Sequence, residues 1–113
     1  MGFIQPKKLR RDEIFPGVLS RLCTGDNVML SFVEMQEGSE VPDHAHPEEQ
    51  AGYMLEGKLR LRIGDDERVI GPGEVYIVPG NVSHSATVVE GPMRVLDIFG
   101  PPRDDYRAKI DGA

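Results

Sequence analysis

Alternating apolar and polar residues, rather than a helical period, dominate this chain of 113 residues. Leu59, Leu61 and Ile63 lie two residues apart, a period that only an extended strand satisfies. Arg60 and Arg62 lie between them and face the other side. No window of helical length carries apolar residues at a spacing of about 3.6 residues. The pattern therefore favours an all-β fold.

Turn signals separate the predicted strands. The 13 glycines and 9 prolines are scattered singly, which indicates corners between strands rather than a flexible linker. Turns are predicted at residues 56–58, 64–66 and 71–73, and one short helix at 104–110. The predicted strands are 18–23, 27–35, 59–63, 68–70, 75–78, 85–89 and 93–99. Many short strands with such corners are typical of a β-sandwich or a closed barrel.

Length and charge limit the classes of function. We expect one domain over residues 1–113, with a core at about 14–100, an N-terminal arm and a short C-terminal tail. The net charge of −6 argues against a nucleic-acid partner, because such binding needs clustered basic residues that face the phosphates. No apolar run has the length of a membrane span, and no secretory signal is recognised, so no membrane partner is expected.

The single cysteine, Cys23, excludes an internal disulfide and is typical of a reducing cytoplasm, which is the location we expect. Cys23 lies in a strand-like run without a neighbouring histidine. A packed thiol is therefore the expectation, rather than a nucleophile.

All three histidines of the chain fall into one pattern. His44 and His46 lie two residues apart, on the same face of an extended segment, and Gln50 follows four residues later. His84 comes from a distant strand-like region. Three imidazoles and one oxygen donor suit a divalent transition metal and leave positions open for a substrate. We predict that these four residues bind one such ion: Ni, Zn, Mn or Fe.

The fourth ligand has an alternative. Glu48 or Glu49 could bind in place of Gln50, although both lie near Pro47 in a predicted turn, where a solvated carboxylate is the ordinary expectation. If Gln50 binds, its neutral amide leaves more positive charge on the metal than a carboxylate would. That difference favours Lewis-acid chemistry over oxygen activation.

These spacings resemble the two motifs of the cupin superfamily. Residues 38–57 resemble G-x5-H-x-H-x3-E-x6-G, and residues 73–84 resemble G-x5-P-x-G-x2-H. Three positions depart from the pattern: Gln50 replaces the usual glutamate, Asn81 a glycine, and Val88 an asparagine. The resemblance implies a double-stranded β-helix, or jelly-roll barrel, with the metal inside. It also implies a homodimer.

The last predicted strand carries an acidic residue among apolar ones. Asp97 shares a face with Val95 and Phe99, and a buried aspartate is costly unless it is paired or functional. Arg103, just beyond the strand, is the nearest candidate partner. Two interpretations are open: a buried Asp97–Arg103 ion pair that closes the barrel, or a proton shuttle at Asp97 with Arg103 binding an anionic substrate.

The pattern D-x-F-x3-R, together with H-x-H-x3-Q, resembles the pectin-degradation cupins, the bacterial KdgF-type proteins that linearise 4,5-unsaturated uronates. The resemblance implies that Asp97, Phe99 and Arg103 line the pocket, with Asp97 as the proton shuttle and a small anionic sugar acid as the substrate. The alternatives are another metal-dependent cupin enzyme, such as a dioxygenase or an isomerase, and a non-catalytic cupin that binds a small acid or has a regulatory role.

Four further residues have no assigned chemistry. Arg60 and Arg62 are expected to lie on a solvated face, although one could point into the barrel mouth. Tyr76 is expected to be core or pocket lining. Tyr106 is expected to lie in a surface tail.

Overall fold

Strands make up most of the structure, a computed structural model that describes residues 2–111. A 3₁₀ turn (Pro6–Lys8) precedes the first strand. Within the described residues there are eight strands and one α-helix. In chain order they are β1 (Arg11–Phe15), β2 (Val18–Thr24), β3 (Met29–Met35), β4 (Glu40–His44), β5 (Glu49–Ile63), β6 (Asp66–Ile70), β7 (Val75–Val78), β8 (His84–Gly100) and α1 (Asp104–Asp111). The predicted all-β class and the predicted C-terminal helix are confirmed.

The eight described strands form one antiparallel sheet in the order β1-β2-β3-β8-β5-β6. β4 pairs with the first part of β8, and β7 pairs with the first part of β5. β8 therefore lies at the centre of the fold, since it pairs with β3, β4 and β5. The end of β4 pairs with the start of β8 through His44 and His84, and the start of β5 pairs with the end of β8 through Gln50 and Phe99.

β5 is longer than predicted. The predicted turn at residues 56–58 is wrong, because these residues lie inside β5, where its pairing with β8 shifts register. Gly57 has a φ of 80°, and a Cβ atom there would lie 2.7 Å from the carbonyl oxygen of Glu90 and 2.6 Å from that of Pro92. Only glycine fits this bulge.

β8 likewise unites two predicted strands, 85–89 and 93–99. Gly91 lies between them, and its amide donates a hydrogen bond to the Glu37 carboxylate at 3.2 Å. A Cβ atom on Gly91 would lie 2.6 Å from the backbone nitrogen of Glu37. Gly91 therefore lies inside one continuous strand, at a point where the backbone of Glu37 approaches closely.

Alternation along the strands divides the interior from the surface as predicted. Met29, Ser31 and Val33 on β3 are buried, while Val28 just before the strand is exposed. Cys23 is also buried, which confirms the packed thiol, and burial raises its pKa. The largest core cluster comprises Val18, Val33, Met35, Met54, Leu59, Leu61, Val88, Met93 and Val95.

A second cluster lies under α1 and corrects one expectation. Tyr106 is buried, not part of a surface tail, and it packs with Leu22, Met29 and Phe99. Its ring meets the Phe99 ring edge-on, with 5.6 Å between the ring centroids. The helix thus covers the end of the barrel that holds Phe99. Within residues 2–111, no helix has the length and apolar character that crossing a membrane requires.

Candidate metal centre and adjoining pocket

The fold brings the three histidines together from separate segments. His44 ends β4 and lies opposite His84, the first residue of β8, in the ladder between these strands. His46 lies in the connection to β5, and Gln50 is the second residue of β5. Each histidine offers one ring nitrogen, and these nitrogens lie within 4.8 Å of one another. Such a cluster is compact enough for one ion.

The backbone fixes the proton position on all three rings. A carbonyl oxygen two residues away lies within hydrogen-bond distance of each Nδ1 atom. The pairs are His44 and Pro42 at 2.8 Å, His46 and Glu48 at 3.0 Å, and His84 and Val82 at 2.9 Å. Because a carbonyl only accepts, each Nδ1 carries the proton and each Nε2 presents a lone pair. This is the arrangement found around metal-binding histidines.

Two of these Nε2 atoms have surroundings that a cation would satisfy. The Nε2 atom of His84 is buried and has no hydrogen-bond partner among the described residues. The Nε2 atom of His46 lies 3.1 Å from Oε1 of Gln50. With the proton of His46 on Nδ1, both of these atoms are acceptors, so neither donates to the other. A single divalent cation would satisfy the buried Nε2 of His84 and also the two facing acceptors, Nε2 of His46 and Oε1 of Gln50.

The protonation states of His46 and His84 also suit such an ion. Burial, together with the charge of Arg103, lowers the pKa of His46. Burial lowers the pKa of His84 from 6.5 to about 4. Both rings are therefore neutral at neutral pH, which leaves their lone pairs available.

Glu48 and Glu49, the two alternatives for the fourth ligand, are less well placed than Gln50. Oε1 of Glu48 lies 3.5 Å from Nδ1 of His46, behind the ring rather than on its Nε2 side. Glu49 is exposed, whereas its neighbour Gln50 is buried. The geometry therefore favours Gln50 as the fourth donor.

The turn before β8 joins the two motif regions. The backbone N–H of Asn81 donates a hydrogen bond to the His46 carbonyl at 2.7 Å. Asn81 adopts a φ of 66°, in the left-handed region where the motif usually has glycine and where asparagine is the best-tolerated substitute. At Gly80, a Cβ atom would lie 2.4 Å from the Pro47 carbonyl oxygen. The departure at Asn81 therefore preserves the turn.

Asp97 lies on another wall of the same cavity. That cavity is lined by His44, Gln50, His84, Tyr76 and Asp97, among others. Asp97 is 9% exposed, and its Oδ1 atom accepts a hydrogen bond from the Tyr76 hydroxyl at 2.5 Å. Burial raises the pKa of Asp97 to about 6, although hydrogen bonds from Tyr76 and Gln50 and the charge of Arg103 favour its charged form. A carboxyl group with such a pKa exchanges protons readily near neutral pH.

Sequence reasoning left the role of Tyr76 open, and the structure places its hydroxyl on Asp97. The ring passes directly over Gly52: a Cβ atom there would lie 2.1 Å from the ring. Burial and the neighbouring Asp97 charge raise the pKa of Tyr76 well above its usual value, so the phenol keeps its proton and donates it. Gly52, opposite Tyr76 in the ladder, leaves the space that the ring occupies.

Arg103 pairs with Asp105, not with Asp97 as one of the two sequence-based interpretations has it. Its guanidinium contacts Asp105, with Nη2–Oδ2 at 2.8 Å and Nε–Oδ1 at 3.2 Å, and no Asp97–Arg103 salt bridge is present among the described residues. The guanidinium carbon lies 3.8 Å from the Tyr106 ring centroid and 5.2 Å from that of Phe99. These contacts hold Arg103 at the cavity wall, and Asp97 has no ion-pair partner within residues 2–111.

Phe99 forms part of the wall between these groups. It is almost fully buried, and its ring meets the His46 ring at an interplanar angle of 74° with the centroids 5.7 Å apart. Its position on β8, two residues after Asp97, keeps both side chains on the inner face of the barrel. The predicted metal and pocket residues are thus close together.

Comparison with known proteins gives the family. The model of the cupin domain matches residues 31–99. The pectin degradation protein KdgF of Dickeya dadantii (strain 3937) is 25% identical over 97 residues, which are 84% of this chain and 88% of that protein.

Two solved structures have a closely similar fold. The structure of KdgF from Halomonas sp. has a TM-score of 0.87 at 24% identity and covers 94% of this chain and 98% of its own. An RmlC-like cupin from Shewanella frigidimarina NCIMB 400 has a TM-score of 0.87 at 24% identity, with 94% and 96% covered. The predicted cupin jelly roll is confirmed, and the chain belongs to the cupin domain family.

Proposed function

We propose that this protein is a metal-dependent cupin enzyme that opens a cyclic 4,5-unsaturated uronate, a monomer derived from pectin or alginate, to its open keto form. One observation carries the proposal: Asp97, a buried carboxyl group with no ion-pair partner among the described residues, faces the cavity that His44 and His84 of the histidine cluster line. The likeness to a relative named as a pectin degradation protein supports the choice of substrate class.

The metal would be held by His44, His46 and His84 through Nε2 and by Gln50 through Oε1. The facing acceptor atoms of His46 and Gln50, the lowered pKa of His46 and His84, and the Nε2 atom of His84, which has no hydrogen-bond partner among the described residues, support this donor set. When bound, a divalent ion such as Ni, Zn, Mn or Fe supplies Lewis-acid stabilisation of negative charge on a substrate oxygen.

Asp97 would move the proton. Its carboxylate takes the proton of the C1 hydroxyl, and the electrons of that O–H bond form the C1 carbonyl as the bond between C1 and the ring oxygen breaks. The ring oxygen, attached to C5 of the 4,5 double bond, becomes an enolate oxygen. Asp97 then returns the proton to C4, which gives the C5 ketone. The reaction is an isomerisation, so no atom or electron is gained or lost.

Tyr76 would support the Asp97 carboxylate, and Arg103 would bind the carboxylate of the substrate. Tyr76 donates to Oδ1 of Asp97 and would hold this carboxylate in position for the substrate. Arg103 would bind the uronate carboxylate, and its contacts with the rings of Phe99 and Tyr106 limit the entropy it loses on binding. This cation also offsets the repulsion between an anionic substrate and a chain of net charge −6.

The direct test is to supply purified protein, loaded with each candidate metal in turn, with unsaturated galacturonate or mannuronate monomers. The absorbance of the conjugated double bond should disappear faster than in buffer alone. Treatment with a chelator should return the rate to the spontaneous value, and added metal should restore it. Equal rates with and without protein, for every metal and both sugars, would refute the proposed reaction. Oxygen consumption would favour a dioxygenase instead.

The Arg103→Ala variant is expected to raise KM about 10- to 100-fold, since a charge-assisted hydrogen bond contributes roughly 1.5–3 kcal/mol. Initial rates over a range of substrate concentrations measure the effect. Asp105→Asn is the control, because it removes the exposed partner of Arg103 but keeps the guanidinium. An unchanged KM in Arg103→Ala would show that another group binds the carboxylate.

A further inference from the structure

The two strand ends that carry His44 and His84 are held together on the outside of the barrel. His44 and His84 are opposite residues in the β4–β8 ladder. The residue before each histidine is polar, and these two residues are bonded to each other: the Ser83 hydroxyl donates to Oδ1 of Asp43 at 3.3 Å. Each partner in this contact is thus covalently adjacent to a histidine of the cluster.

Arg62, near the end of β5, joins the same contact. Its Nη2 atom donates to Oδ1 of Asp43, in a charge-assisted hydrogen bond. Its Nη1 atom donates to the Gly64 carbonyl at 2.9 Å, and the Gly64 amide donates to the Ser83 carbonyl at 2.8 Å. Asp43, Arg62, Gly64 and Ser83 therefore form a closed ring of hydrogen bonds, which we call the outer clip.

The outer clip contacts the backbone that orients the rings. Nδ1 of His44 bonds to the Pro42 carbonyl, on the other side of Asp43, and Nδ1 of His84 bonds to the Val82 carbonyl, on the other side of Ser83. A shift of Asp43 or Ser83 moves both the histidine and its carbonyl partner. The separation of the two Nε2 atoms is therefore set by contacts that include the clip.

We propose that Arg62 is a positioning residue of the metal centre: through Asp43 and Ser83 it fixes the spacing of His44 and His84 for a divalent ion. The inference rests on the metal site of the proposed function, but on neither the substrate nor the reaction. Among the described residues, Arg62 makes no hydrogen bond to a histidine, and it acts through the two residues that precede His44 and His84.

The surface position of the clip separates this role from general stability. The Arg62 and Asp43 side chains are 32% and 55% exposed, and an ion pair at such exposure contributes little to the stability of the fold. Arg60 provides a matched comparison, because it lies two residues earlier on the same face of β5, is exposed and makes no side-chain hydrogen bond among the described residues. The predicted solvated face thus holds for Arg60, whereas Arg62 is tied to the clip.

The test compares Arg62→Met with Arg60→Met in the full chain, by calorimetric titration of metal-free protein with Zn²⁺ and Ni²⁺. Arg62→Met should weaken both affinities about 10-fold, the lower end of the effect of orienting residues around metal sites. Arg60→Met should bind as the wild type does. Arg62→Lys should recover part of the loss, because its ammonium group can reach Asp43 but cannot form the two-sided contact.

The absorption spectrum of the Co²⁺-loaded protein gives a second readout, since the intensity of its visible bands follows the coordination geometry. Arg62→Met should change these bands while the melting temperature of the metal-free protein stays near that of the wild type. If Arg62→Met does not fold, Ser83→Ala, which removes only one hydroxyl contact, takes its place. Wild-type affinity and spectrum in the variant would overturn the role of Arg62. A wild-type protein that binds no divalent ion would overturn the metal site itself.

Discussion

Replacing His44 and His46 together with alanine is expected to leave a protein that retains almost no divalent metal. Four ligands in a site of this kind share on the order of 10–16 kcal/mol of binding free energy. Loss of two should therefore weaken affinity by roughly three or more orders of magnitude. Dialysis against Zn²⁺ or Ni²⁺, followed by elemental analysis of the washed protein, measures the occupancy.

Two single variants serve as controls and also settle the fourth ligand. Glu48→Gln and Glu49→Gln remove the carboxylates that the sequence left as alternatives to Gln50, and both proteins should retain the metal. Full occupancy in the double histidine variant would exclude the site. Loss of metal in either glutamate variant, with retention in Gln50→Ala, would instead assign the fourth position to that carboxylate.

The Asp97→Asn variant is expected to lower kcat on an unsaturated uronate by about 10²- to 10⁴-fold, the usual contribution of one proton-transfer group. Asparagine keeps the size of the side chain and still accepts a hydrogen bond from Tyr76, but it cannot take a proton. The metal content should remain that of the wild type, because Asp97 is not among the proposed donors. The decay of the ultraviolet band measures the rate.

Asp105→Asn makes the same chemical change at an exposed carboxylate and should leave kcat close to the wild-type value. The comparison separates proton transfer from a general effect of removing a negative charge. A wild-type kcat in Asp97→Asn would exclude Asp97 as the shuttle, even if the protein binds metal and opens the sugar ring.

The sequence predicted most of the strands because their alternation is local, but it misjudged the two longest. It predicted a turn around Gly57 and two separate strands on either side of Gly91. In the structure each glycine allows a close approach between backbones, with Gly57 against Glu90 and Gly91 against Glu37. A turn and a bulge require the same freedom of the backbone, and only the partner strand, which lies far away in sequence, distinguishes them.

The metal donors were predictable because their motif spacing encodes them, whereas their partners were not. Tyr76 reaches Asp97 from another strand, and nothing near either residue indicates the contact. From the sequence, either Asp97 or Asp105 could pair with Arg103, and the start of α1 places Asp105 beside it. The burial of Tyr106 had a usable signal, since Ile110 lies four residues later on the same face of α1 and packs against the same cluster.

The histidine rings owe their orientation to main-chain carbonyl groups, those of Pro42, Glu48 and Val82. Because every amino acid has this group, no substitution at these three positions deletes a hydrogen-bond acceptor. The hydrogen bonds that orient the rings can thus be kept whichever side chains occupy these three positions. Side chains on the opposite wall, such as Asp97 and Arg103, have no such protection. Over evolutionary time, we expect the substrate and the reaction to diverge on this scaffold faster than the capacity to bind an ion.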